Sequence, residues 1–136
     1  MPVIRHADSR RTETPNAVMT TLASPTQGDA AGLAVWRVDM RTGQSGPVHS
    51  FDTEQVWTVV EGGATVELDG ESFTLEPGDT LVMPADVPRQ VHCDKEAGFA
   101  AIVAARAGAG AYAPAVAVPT ACAALDGDKL LPAWIA

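Results

Sequence analysis

Few residues in this 136-residue chain have side chains suited to chemistry near neutral pH. Three are histidines, His6, His49 and His92. With an ordinary pKa of about 6.5, an imidazole is the side chain best suited to moving a proton. Three histidines this scattered are too few to build a metal site unless other residue types complete it. The two cysteines, Cys93 and Cys122, form no Cys-x-x-Cys pair and no zinc-knuckle spacing, and are expected to be structural thiols. Arg89 carries a permanent cation whose fork can donate two parallel hydrogen bonds to a carboxylate, phosphate or enolate oxygen.

The elements that must position these residues are strands. From about Gly32 to Arg106 the chain runs as short alternating apolar stretches cut by Gly, Pro and Asp, the pattern of antiparallel strands joined by tight turns. In Leu33 to Arg41, Trp36, Val38 and Met40 alternate with Arg37, Asp39 and Arg41, so the first set is expected to point inward. Further strands are expected over 55–62, 64–68, 71–75, 80–83, 89–93 and 99–105. Asp69-Gly70 supplies a hairpin turn that needs positive φ, and Pro77-Gly78 a second turn. So many short strands at close spacing predict an all-β barrel or sandwich. By period-two alternation His92, three residues after Arg89, faces the opposite side of its strand.

The flanks differ in kind. Residues 1–30 are expected to form an N-terminal arm or edge strand around Ala17 to Ala23, 31–106 the barrel, and 107–136 a tail. The tail's apolar end, Leu130 to Ala136, is expected to pack on the barrel or on a partner subunit, and a homodimer is expected to cover both flanks. The net charge of −8 repels phosphate backbones and anionic membranes, so neither nucleic acid nor membrane is an expected partner. With no apolar stretch of spanning length and no signal-like start, the expected location is the cytoplasm.

Two stretches resemble the paired motifs of the cupin superfamily. Gly43, His49, Gln55 and Gly62 fall on the spacing of the first motif, and Gly78 and Pro84 on that of the second. The resemblance, spanning roughly Leu33 to Ala105, implies a cupin-type double-stranded β-helix, or jelly-roll barrel. Four positions depart from the pattern: Phe51 and Arg89 stand where histidines are usual, Asp86 where a glycine is, and Cys93 where an asparagine is. Of the family's metal-binding set only His49 and Gln55 survive, and Arg89 places a cation where a ligand would sit. A pocket with no metal and no cofactor is therefore expected. The alternative is a divalent transition metal at His49 and Gln55, with Asp52 or Glu54 completing an oxygen-rich site.

The resemblance further implies that His49, Gln55 and Arg89 line the barrel, with Phe51, Trp57, Trp36, Met40 and Met83 as apolar walls. Such a cavity suits a small carbonyl-bearing or anionic metabolite. The expected chemistry is metal-independent acid–base catalysis of the isomerase, dehydratase, epimerase or cyclase type, with His49 moving the proton and Arg89 steadying an oxyanion. Two alternatives stand beside it: a non-catalytic ligand-binding or sensor protein, and a metal-dependent oxygenase or isomerase with a non-standard site. Arg89 has a structural alternative as well, a buried ion pair with Asp52, Glu54 or Asp86.

Overall fold

The computed structural model of the protein describes residues 3–113 and 129–136, so the expectation for Cys122 falls outside the described residues. Among the described residues eleven strands carry the chain: β1 Arg10–Glu13, β2 Val18–Ala23, β3 Leu33–Met40, β4 Ser50–Phe51, β5 Gln55–Gly62, β6 Ala64–Leu68, β7 Glu71–Leu75, β8 Thr80–Met83, β9 Arg89–Cys93, β10 Phe99–Arg106 and β11 Ala111–Tyr112. They form a six-stranded sheet in the order β1-β2-β3-β10-β5-β8, a three-stranded sheet β7-β6-β9 and a two-stranded ribbon β11-β4. Every pairing among them is antiparallel. The inner faces of the two larger sheets share one core, giving an all-β jelly-roll barrel.

The alternation seen in the sequence holds strand by strand. On β3, Ala34, Trp36, Val38 and Met40 are buried while Leu33 stays exposed. The opposite sheet contributes Ala64, Val66 and Leu68 from β6 and Val91 and Cys93 from β9. Arg37, on the outer face, pairs with Asp39 at 3.0 Å and with Glu61 at 3.3 Å. The expected turn at Asp69-Gly70 is present, both residues in the left-handed region at φ 50° and 82°.

The N-terminal flank supplies the edge of the larger sheet through β1, while the segment Ala17 to Ala23 lies one strand further in, because β2 sits between β1 and β3 of the same chain. An alternating apolar strand cannot by itself reveal that Arg10–Glu13, a polar run, will pair along its free edge. The C-terminal end packs on this same region. Ile135 is fully buried, the Thr21 hydroxyl donates to the Trp134 carbonyl at 2.8 Å, and the Ser24 hydroxyl donates to the Ala136 carbonyl at 3.0 Å. Leu130 and Leu131 remain exposed.

Gly62, at the end of β5, makes a very tight backbone approach. Its φ is +67°, and a Cβ there would lie 2.0 Å from the Gly98 carbonyl oxygen. Gly62→Ala is expected to destabilise the fold by about 2–4 kcal/mol, because backbone and not a movable side chain would have to give way. Urea unfolding of the variant checks this, and a midpoint equal to that of the parent would refute it.

Candidate functional site

Register sets the site. β10 lies between β3 and β5, so Val103 sits opposite both Trp36 and Trp57, and Ala105 opposite both Ala34 and Gln55. Gln55 in turn pairs with Met83 of β8. One inward row therefore runs Ala34, Ala105, Gln55, Met83, with the two tryptophans in the row beside it. His49 enters from the other sheet. It exchanges two backbone hydrogen bonds with Arg89 of β9, His49 N to Arg89 O at 3.1 Å and Arg89 N to His49 O at 2.9 Å. The histidine and the arginine are thus direct cross-strand neighbours.

A cavity of about 80 Å³ lies between the sheets, lined by His49, Phe51, Gln55, Trp57, Trp36 and Met40 among others. Six of the eight residues expected around a pocket therefore meet there. Its walls are almost wholly apolar, so the few polar groups carry its specificity. The His49 ring makes an edge contact with Phe51, centroids 4.9 Å apart, and its Nδ1 lies 2.8 Å from the Pro47 carbonyl. A carbonyl only accepts, so Nδ1 carries the hydrogen and Nε2 keeps its lone pair in the neutral ring. Burial holds the imidazole below its ordinary pKa; the Pro47 carbonyl opposes this and the Arg89 charge adds to it.

Gln55 is fully buried. Its Oε1 accepts from the Trp57 indole N–H at 2.9 Å, and its Nε2 has no partner among the described residues. The indole can only donate, which assigns the amide: oxygen toward Trp57, NH2 at the free end. A buried donor left unmatched costs about 1–3 kcal/mol, so its retention calls for an explanation.

Arg89 and Met83 do not line this cavity, which corrects the expectation of a direct contact with a bound molecule. The guanidinium is almost fully buried, and each of its three nitrogens makes a local hydrogen bond. Nη2 donates to the carbonyls of Pro84 at 2.9 Å and Val87 at 3.0 Å, Nε to Val87 at 3.2 Å, and Nη1 to the Met83 sulfur at 3.6 Å. It also sits 5.4 Å from the centroid of the Phe51 ring, a cation–π contact. Burial pushes its pKa down to about 10 against the pull of Tyr112 and Asp86, which leaves it charged at neutral pH. Among the described residues no carboxylate pairs with it within salt-bridge distance, so the expected buried ion pair is absent there.

The loop that satisfies Arg89 depends on Asp86. This residue takes a left-handed backbone, φ 63°, at the position where the second motif usually has glycine. Aspartate tolerates that conformation better than most residues. Its N–H donates to the Phe51 carbonyl at 2.7 Å, and its carboxylate accepts from the Tyr112 hydroxyl at 2.5 Å.

The donor set does not fit a transition-metal ion. The Gln55 oxygen is held by Trp57, a guanidinium lies behind Phe51, and among the described residues no three His, Cys, Asp or Glu side chains form a metal-holding group. Asp52 and Glu54, expected as a possible rescue, line a separate depression with Pro84 and Arg106. There the Asp52 carboxylate accepts from Gly110 N–H at 2.8 Å and pairs with Lys129 at 3.6 Å. His92 faces away from the cavity as alternation required, with its ring 2.7 Å from the Ser45 hydroxyl and 3.5 Å from Glu67. Cys93 is buried, and burial raises its thiol pKa.

Sequence reasoning missed the far wall of the cavity, formed by Thr14, Asn16 and Ala17 at the β1–β2 turn and by Trp134 of the tail. Only the apolar character of 17–23 and of the C-terminal end hinted that these segments needed something to cover. The Pro47 carbonyl, which orients His49, gave no sequence signal at all.

A small antiparallel barrel closed around an apolar cavity with one histidine and one amide defines the class. A family model for the cupin domain matches residues 36–104, and the chain belongs to the cupin family. Similar solved structures include an RmlC-like cupin from Shewanella frigidimarina NCIMB 400, with a TM-score of 0.66 and 22% identity over 76% of this chain and 88% of that one. Another is the polyketide cyclase RemF from Streptomyces resistomycificus, TM-score 0.68 and 19% identity, covering 80% and 81% of the two chains. A salicylate 1,2-dioxygenase from Pseudoaminobacter salicylatoxidans matches at TM-score 0.62 and 24% identity over 71% of this chain and 26% of that one. At these identities the likeness is one of fold. No curated protein matches the sequence. Among the described residues, no helix is long and apolar enough to cross a membrane.

The depressed His49 pKa has a consequence for stability. The unfolded chain takes up a proton near pH 6.5 while the folded one resists it, so this group's contribution is whole above about pH 6.5 and declines as pH falls below it. In His49→Gln the loss of unfolding free energy between about pH 7.5 and about pH 5 should be smaller than in the parent. Urea titrations at the two pH values measure it. Equal losses would mean that His49 titrates alike in both states.

Proposed function

We propose that the protein is a metal-independent acid–base cupin that binds a small carbonyl compound in the barrel cavity and moves a proton on the carbon next to the carbonyl. The observation that carries this reading is His49 lining an almost wholly apolar cavity with its Nδ1–H bonded to Pro47. That bond sets the ring orientation and tautomer, and leaves Nε2 as a base that is neutral, hence competent, at physiological pH. The donor set described above supports the metal-free part of the proposal.

Arg89 takes a different role from the one expected on sequence. Its hydrogen bonds go to the loop and to Met83, and its charge, offset in part by Asp86 but with no carboxylate at salt-bridge distance among the described residues, lies behind the Phe51 wall. In a low-dielectric interior such a cation favours negative charge forming in the cavity, as in an enolate. It acts at a distance, without touching the substrate. The similar cyclase fold is compatible with this class of chemistry and does not specify the substrate.

A non-catalytic binding protein is the second reading, favoured by the small cavity and by His49 being the one titratable group among the described residues that line it. Hydrogen–deuterium exchange separates the two. Small ketones incubated with protein in D2O should exchange their α-hydrogens faster than buffer alone, and His49→Gln should lower the enzymatic rate by about 10²-fold or more. NMR of the ketone reads the rate. Exchange that persists unchanged in His49→Gln refutes the catalytic role. No acceleration by the parent protein favours the binding reading, and stoichiometric transition metal in the purified protein refutes the metal-free one.

A further inference from the structure

Gln55 presents a polar group of the cavity wall that is fully buried and, among the described residues, half unsatisfied: its oxygen is matched and its nitrogen is not. An amide can present either end, and in most settings a half-turn about its last bond exchanges them. Here the exchange is blocked. Turning the amide would face NH2 toward the Trp57 indole N–H, leaving two donors opposed and a buried indole unmatched. Trp57 is itself held in the sheet opposite Val103, with its ring stacked near Phe99 at 6.3 Å, so it cannot follow the amide round.

We infer that Trp57 acts as a positioning residue that locks Gln55 with its N–H toward the cavity, making the site selective for a neutral ligand carrying a carbonyl oxygen. This deepens the function proposed above and rests on the same cavity. A free donor rewards an acceptor and rejects both a cation and a hydrocarbon of the same shape. A single neutral amide cannot offset the desolvation of a full carboxylate between apolar walls, and the Arg89 guanidinium does not line the cavity to hydrogen-bond one there. The ligand chemistry is therefore that of a small ketone or aldehyde. Its oxygen takes the Gln55 hydrogen, while the neighbouring carbon or hydroxyl is left to His49.

The test uses two probes of nearly one shape, cyclopentanone and methylenecyclopentane, titrated into the full chain with binding read from ¹⁵N amide and indole NMR shifts. The parent should prefer the ketone. In Trp57→Phe, which frees the amide to turn, and in Gln55→Leu, which removes it, that preference should fall roughly five- to tenfold. The Trp57 indole N–H resonance should also move in Gln55→Leu without any probe, a readout that survives if Trp57→Phe fails to fold. If both probes bind but the preference is the same in parent and variants, the lock is refuted while the binding cavity stands. Absence of binding by either probe would remove the cavity reading and this inference together. Selective binding without α-hydrogen exchange would leave the inference intact and remove only the catalytic role.

Discussion

The pair of backbone hydrogen bonds between His49 and Arg89 is the constraint from which the site follows. In an antiparallel sheet, residues that exchange both bonds stand side by side with their side chains on one face. A base and a cation are thereby forced to leave the sheet together. What separates them is the aromatic ring of Phe51, which touches the imidazole edge and lies beneath the guanidinium. His49 stays at the cavity, and Arg89 turns toward a loop rich in carbonyl oxygens.

Had Arg89 met a carboxylate, its charge would have been cancelled at the point of burial. The loop from Pro84 to Pro88 offers backbone oxygens in its place, which satisfy the hydrogen bonds but supply only partial negative charge. The Arg89 charge, offset in part by Asp86, acts in the same direction as burial on the His49 imidazole. The geometry of the loop, set by the left-handed Asp86 and its bond to Phe51, is thus part of the electrostatics of the cavity.

A second exchange of roles occurs at Gln55. In a metal-binding relative of this fold, the oxygen of such a side chain is the useful atom. Here Trp57, two residues on along β5 and so on the same face, takes that oxygen and leaves the nitrogen. The position keeps its residue type while the end of the amide left free of Trp57 is the donor and not the acceptor.

The chain's alternation of apolar and polar residues was enough to place β3 and β5 to β10 and to assign Trp36, Val38 and Met40 to the interior, because the two-residue period of a strand is a local property. That His49, Phe51, Gln55 and Trp57 share one cavity was implied by the resemblance to the cupin motifs, and the structure brings all four to it. Which residues would complete the cavity was decided by tertiary structure. Thr14 and Asn16 arrive through the pairing of a polar run with β2, and Trp134 through the packing of the C-terminal end on the same region. The fate of Arg89 and the orientation of Gln55 were likewise settled only in three dimensions. Hydrogen-bond partners are chosen by direction and distance among groups far apart in sequence, and residue type alone carries neither.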